Sequence, residues 1–219
     1  MSTKTLLMTA VLGAASIAAV MAADPVYSVN IVGYVNVTAP AKFSMIANPL
    51  KSGGNTLAEI IPTAPDGTSI YLFGKTGFLD PVTYYVVPGI GAAWDAPDTV
   101  LAPGDGAFIY NGSGADMTLT FVGEVMTGAL STAIPQGWSI KSSQVPQQLD
   151  LTTLGFPAAD GDAVYFFDSA RQTYFDPHIY YVVPGIGADW DSPPIPKVGE
   201  SFFVSKGAAA SWTRTFTVQ

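Results

Sequence analysis

The chain has 219 residues, 48% of them hydrophobic, with 17 acidic against 9 basic side chains and a formal net charge of −8. That length gives room for one or two domains with real cores. With no cysteine and a single histidine, it has no means of building a disulfide framework, a cysteine nucleophile, a thiolate metal site or a three-histidine zinc site. No basic run is present to neutralise phosphates, so neither nucleic acid nor an anionic lipid surface is an expected partner.

Taken from the start, Lys4 precedes an apolar stretch from Leu6 to Val20, and Val20, Met21 and Ala22 then supply the residues of a cleavage site. This pattern predicts a secretory signal peptide over 1–22, removed to leave a domain over 23–219. Asp24-Pro25 closes the apolar run short of the about 20 residues that a spanning helix needs. The expected location is therefore secreted (extracellular, cell surface or periplasmic), with no membrane span after signal removal.

The rest reads as mostly β. Aromatic and β-branched stretches bounded by Gly, Pro, Asp and Asn fall near 30–37, 43–47, 68–73, 83–87, 107–110 and 117–125. They recur near 138–142, 163–167, 179–183, 201–204 and 212–218. Thr118, Thr120 and Val122 alternate with Leu119 and Phe121, as a strand with one buried face requires. With 22 Gly and 17 Pro, long helices are disfavoured. A short helical turn is expected over 56–61, capped by Asn55, with a counterpart over 151–154 capped by Asp150.

The order of these elements is a repeat. Residues 80–97, DPVTYYVVPGIGAAWDAP, return as 176–193, DPHIYYVVPGIGADWDSP, with 14 of 18 positions identical at an offset of 96. The repeat extends to Asp66-Gly67 with Asp160-Gly161, and to Gly104–Ile109 with Gly199–Val204. By contrast, 43–50 and 138–145 share only Ser44 and Ser139. Ile31-Val32-Gly33-Tyr34-Val35 resembles Phe121-Val122-Gly123-Glu124-Val125, which places copy one at about 31–125 and copy two at about 121–219. No Pro/Ser linker separates them, so one unit with pseudo-two-fold symmetry is expected rather than two free domains. The predicted class is all-β, a sandwich-like or jelly-roll-like domain made of two tandem copies.

The segment from Tyr27 to Val37, followed by Phe43-Ser44-Met45-Ile46-Ala47-Asn48-Pro49-Leu50, resembles a family of small secreted, internally duplicated bacterial proteins of verrucomicrobial type. Pro103-Gly104-Asp105-Gly106 and Gly199-Glu200-Ser201-Phe202-Phe203 fit the same resemblance. It implies secretion and a duplicated β-domain, and it brings no functional residue with it.

Candidate chemistry is sparse. The sole histidine, His178, takes the slot of Val82 and reads as a strand-surface residue rather than a catalytic base. A carboxylate-based hydrolase would draw on Asp80, Asp95, Asp176 and Asp191, all in turn-making contexts. Calcium would draw on Asp160, Asp162, Asp189 and Asp191, but copy one is one carboxylate short at each cluster. Gly89-Ile90-Gly91 has Trp94 where a phosphate-binding loop needs its third glycine, so it reads as a tight backbone turn. The aromatic residues Trp94, Trp190, Tyr84, Tyr85, Tyr180 and Tyr181 remain, either as core anchors or as stacking platforms for sugar rings.

The expectation is a non-catalytic, acidic, cell-surface or secreted protein acting in assembly or adhesion, with no cofactor. Its partners are self-association or polysaccharide. The alternative is a carbohydrate-binding module using the repeated aromatic loops, with a carboxylate hydrolase a distant third.

Overall fold

The computed structural model describes residues 31–218, so the predicted signal peptide lies outside the described residues. The first set of elements is β1 (Val32–Ala39), β2 (Lys42–Ile46), α1 (Leu57–Ile60), β3 (Ser69–Tyr71), β4 (Phe73–Gly74), β5 (Gly77–Phe78), β6 (Val82–Val87), β7 (Gly91–Trp94), β8 (Ala107–Asn111) and β9 (Met117–Glu124). The second set repeats its strands one for one. It comprises β10 (Gly128–Ile134), β11 (Gly137–Ser142), β12 (Ala163–Tyr165), β13 (Phe167–Asp168), β14 (Thr173–Tyr174), β15 (His178–Val183), β16 (Gly187–Trp190), β17 (Ser201–Lys206) and β18 (Ala210–Phe216). Among the described residues no helix is long and apolar enough to cross a membrane.

Both copies are wired identically. Copy one forms an antiparallel sheet in the order β2-β8-β3-β6-β7, a separate β1-β9 ribbon and a small β4-β5 hairpin. Copy two forms β11-β17-β12-β15-β16, β10-β18 and β13-β14. The fold is thus all-β, with two equivalent sheet sets.

Two sequence expectations need correcting. Residues 121–125 do not open the second copy. Residues 121–124 close β9, which pairs with β1 so that Gly33 stands opposite Gly123 and Val35 opposite Phe121. The likeness of 31–35 to 121–125 is that of strand partners, and the true counterpart of β1 is β10. The helical turn is capped by Thr56 rather than Asn55, with Glu59 Oε2 accepting from the Thr56 N–H at 3.1 Å. Asn55 sits in the left-handed region at φ 57, and its side-chain oxygen accepts from the Ser52 N–H at 2.9 Å. In copy two the equivalent residues form turns rather than a helix. Asp150 accepts there from the Thr153 N–H at 2.9 Å and the Thr153 hydroxyl at 2.6 Å.

Strand alternation sorts the side chains into three cores. Ile46, Ile70, Ile109, Leu119 and Phe121 fill the space between the first large sheet and its ribbon. Ile134, Val164, Phe202, Val204 and Trp212 do the same in copy two. The opposite faces of the two large sheets meet across Met45, Phe108, Ile140 and Phe203, with Phe43, Tyr71, Phe73, Tyr165 and Phe167 around them. The rings engage edge to face, with Phe73 on Phe203 at 5.0 Å and Phe108 on Phe167 at 5.0 Å.

The seam has a pseudo-two-fold axis. Ala47 N–H donates to the Gly199 carbonyl at 2.8 Å, and its counterpart Ser142 N–H donates to the Gly104 carbonyl at 3.0 Å. Gly106 and Ser201 are likewise counterparts and face each other: a Cβ on Gly106 would run into the Ser201 side chain and come within 2.6 Å of Ile140 Cγ2. Gln172 crosses the seam as well, accepting from Phe43 N–H at 3.0 Å and donating to its carbonyl at 2.9 Å.

At the seam the symmetry is broken where Asp105 and Glu200 correspond. Asp105 forms an ion pair with Lys141 of the other copy at 2.8 Å, whereas its counterpart Glu200 accepts only from the Lys197 N–H among the bonds described, at 2.8 Å. Burial pushes the Glu200 carboxyl above its ordinary value of 4.5, against a smaller opposing pull from Lys197. A raised carboxyl pKa means that the fold favours the protonated form, so this stabilisation is complete below pH 4.5 and is lost as pH rises through the folded value. Glu200→Gln is therefore expected to raise the Tm at pH 7, with the gain shrinking as the pH is lowered below the ordinary carboxyl value; thermal melts at both pH values check this.

Candidate functional site

The doubled phrase forms two projecting hairpins, β6-β7 and β15-β16. Their registers match: Tyr84 opposes Trp94 and Val87 opposes Gly91, as Tyr180 opposes Trp190 and Val183 opposes Gly187. The tips are turns in which Ile90 N–H donates to the Val87 carbonyl at 3.1 Å and Ile186 N–H to Val183 at 3.0 Å. Pro88 and Pro184 fit the first central position, and Gly89 and Gly185, both at φ 77, fit the second, where a left-handed residue is needed. The glycines thus serve a hairpin turn.

Each hairpin has a buried base and an exposed end. Trp94 and Trp190 are 4% and 7% exposed. Trp94 donates its indole N–H to the Ile61 carbonyl at 2.8 Å. Tyr84 and Tyr180 meet the two indoles edge-on, both at 5.3 Å and 73°. These four rings belong to the cores, which corrects the reading of Trp94 and Trp190 as sugar platforms: their faces are already occupied by protein. Tyr85 and Tyr181 point the other way and are half exposed, as strand alternation dictates.

The aspartates of the repeat are clamps. Asp95 accepts from Thr83 N–H at 2.9 Å and Asp66 from Val86 N–H at 2.8 Å. In copy two Asp191 accepts from Ile179 N–H at 3.1 Å and Asp160 from Val182 N–H at 2.8 Å. One clamp thus closes each hairpin across its base, and the other, reaching in from the loop before β3 or β12, holds the backbone of its outer half. Asp80 and Asp176 are exposed, and Asp189 accepts from the N–H of Trp190 at 2.8 Å.

Asp162 is buried and bonded to Lys206 Nζ, with its other oxygen accepting from Gly207 N–H at 3.0 Å. The calcium alternative on Asp160, Asp162, Asp189 and Asp191 is corrected by these engagements, and no group of three or more metal-ligating side chains is found among the described residues. His178 meets the Ser192 hydroxyl at 2.8 Å and carbonyl at 2.9 Å through the same Nδ1. The neighbouring Asp191 contacts the serine hydroxyl, at 3.3 Å, rather than orienting the imidazole as a triad acid does.

The outer half of each hairpin is open to solvent. From Tyr85 to Ala93 every residue is exposed, as is every residue from Tyr181 to Asp189. Val86, Val87, Val182 and Val183 are nearly half exposed, and Ile90 and Ile186 at the tips are each 86% exposed. The repeated aromatic loops expected over Gly89–Pro97 and Gly185–Pro193 contain strands, Gly91–Trp94 and Gly187–Trp190, and nothing in the sequence alone marks Ile90 and Ile186 as hairpin tips. What the sequence does show is that identity between copies is concentrated in this segment, while the buried strands β2 and β11 have diverged.

Comparison with family models, curated proteins and solved structures returns no match to the chain.

The Asp162–Lys206 pair has an internal control, because copy one places Thr68 and Asn111 at the equivalent positions. Removing one partner strands a buried charge, so Lys206→Met is expected to cost about 3–5 kcal/mol. The joint change Asp162→Thr with Lys206→Asn, which installs the copy-one pair, should cost far less in urea unfolding of the two variants.

Proposed function

We propose that the chain is a non-catalytic, secreted interaction protein that assembles with further copies of itself through its two hairpins. The observation that carries this is a pair of near-identical, solvent-exposed apolar tips in a chain whose buried strands β2 and β11 differ between the copies. Exposed apolar surface of this kind marks a contact site, and each fully covered isoleucine would contribute about 1.5–3 kcal/mol.

A second copy suits this surface better than a membrane or a charged partner. The chain carries a net −8, which opposes contact through its charged surface, whereas Tyr85–Ala93 carries no charged side chain and the second hairpin carries none from Tyr181 to Ala188. The same acidity opposes an anionic lipid surface. Strands β7 and β16 also end their sheets, and an uncovered edge strand is a template for pairing with another chain.

Sedimentation velocity over a concentration series tests the reading. Wild type is expected to form dimers and longer species, Ile186→Asp alone to stop at short species, and Ile90→Asp/Ile186→Asp to remain monomeric with an unchanged Tm. A wild type that stays monomeric throughout, or a double variant that assembles equally well, overturns it.

A further inference from the structure

Away from the hairpins, the junction between the copies holds two clefts at pseudo-equivalent places. The larger, about 650 Å3, is bordered by Lys75 and Asp105 of copy one and by Gln136, Trp138, Ser139 and Lys141 of copy two. The smaller, about 370 Å3, has Ser44 for Ser139, Ser169 for Lys75 and Glu200 for Asp105. Phe43 and Ile46 stand at the positions of Trp138 and Lys141. The two copies therefore started with one cleft design, and only one cleft acquired an indole and a cross-copy ion pair.

We propose that the larger cleft is a saccharide-binding site, with Trp138 as the stacking face and Ser139, Asp105, Lys141 and Gln136 as the hydrogen-bonding groups. Trp138 is 49% exposed, whereas Trp94, Trp190 and Trp212 are 4%, 7% and 0% exposed. It is held from behind by Tyr165 at 5.3 Å and Phe203 at 6.0 Å, so the ring is pre-positioned rather than mobile. Strand β11 is the edge of its sheet, which lets residues of both its faces border the same space. The Ser139 hydroxyl is buried and has no partner among the described residues. Gln136 is fixed at the rim by donating its amide to the Gly207 carbonyl at 2.9 Å.

The chemistry of the lining selects the ligand. A hydrocarbon would leave the polar groups desolvated and unpaired. A simple anion finds the Lys141 charge already met by Asp105 at 2.8 Å. A pyranose ring fits both halves: its C–H face lies on the indole, and its hydroxyls both donate to Asp105 and accept from Lys141. A few placed polar groups beside an aromatic wall, in a volume of this size, is the common form of a small-ligand site.

Trp138 is the one exposed tryptophan, so the part of the emission quenched by acrylamide reports this cleft together with the adjoining hollow of Phe73, Tyr165, Tyr174 and Phe203, and Asp105, which borders the cleft but not the hollow, separates the two. The test titrates the purified protein with neutral oligosaccharides (cello-, xylo- and manno-series) and with uronate oligomers (alginate and pectate). At least one series is expected to shield Trp138 with saturation, and tighter binding of uronates that is lost in Lys75→Ala would place the sugar carboxylate at the rim. Trp138→Phe keeps the packing that Phe43 makes in copy one, and Asp105→Asn keeps volume; each should weaken binding about tenfold or more, read by calorimetry, while the Tm shows that the fold is retained. If no oligosaccharide of either class binds, or if both folded variants bind as wild type does, the site is refuted. Neither result bears on self-assembly, which sedimentation reads separately.

Discussion

Each large sheet is apolar on both faces, and the rest of the structure follows from that. In β8, Ala107 and Ile109 face the ribbon of their own copy while Phe108 faces the other copy. In β17, Phe202 and Val204 face inward while Phe203 faces the seam. A single copy would leave the Phe108 side of its sheet in water, at a cost of about 1.5–3 kcal/mol for each large side chain uncovered. With no disulfide available to offset that loss, each copy relies on the other to cover that face.

The seam also decides what is left over. Strands β2 and β11 sit against the opposite copy, so the other ends of the sheets, β7 and β16, face outward. The hairpins grow from those ends. The indoles anchor their bases and four aspartates clamp their strands, and among the described residues nothing covers their tips. The consecutive tyrosines show the division on the smallest scale: Tyr84 is core and Tyr85, one residue on, is surface.

The repeat, the β content and the absence of a linker were legible because they rest on alternation and punctuation, which are local. What escaped was imposed by partners. Gly91-Ala92-Ala93 has little intrinsic strand preference and is a strand because Tyr85 and Val86 pair with it. Residues 128–134, rich in Ala, Ser and Thr, are recruited by β18 in the same way. The boundary between copies is not legible at 121–125, because the likeness of that segment to 31–35 joins two paired strands of one copy. Trp138 is not legible as a site residue, because a tryptophan in a strand carries no mark of which face of the fold it will meet. Trp94 drew attention by lying in the repeat, and that repetition reflected a shared core as much as a shared surface.

Gly106 facing Ser201 has an evolutionary consequence. Subunits of a symmetric homodimer must place the same residue on both sides of their axis. Serine on both sides here would collide, since even one added Cβ at Gly106 has no room, and glycine on both would leave a gap at the centre. Joining the halves in one chain lifts that obligation. Once fused, the halves could hold a glycine against a serine, a pairing that two identical subunits cannot encode, so neither half, taken twice, could rebuild this seam.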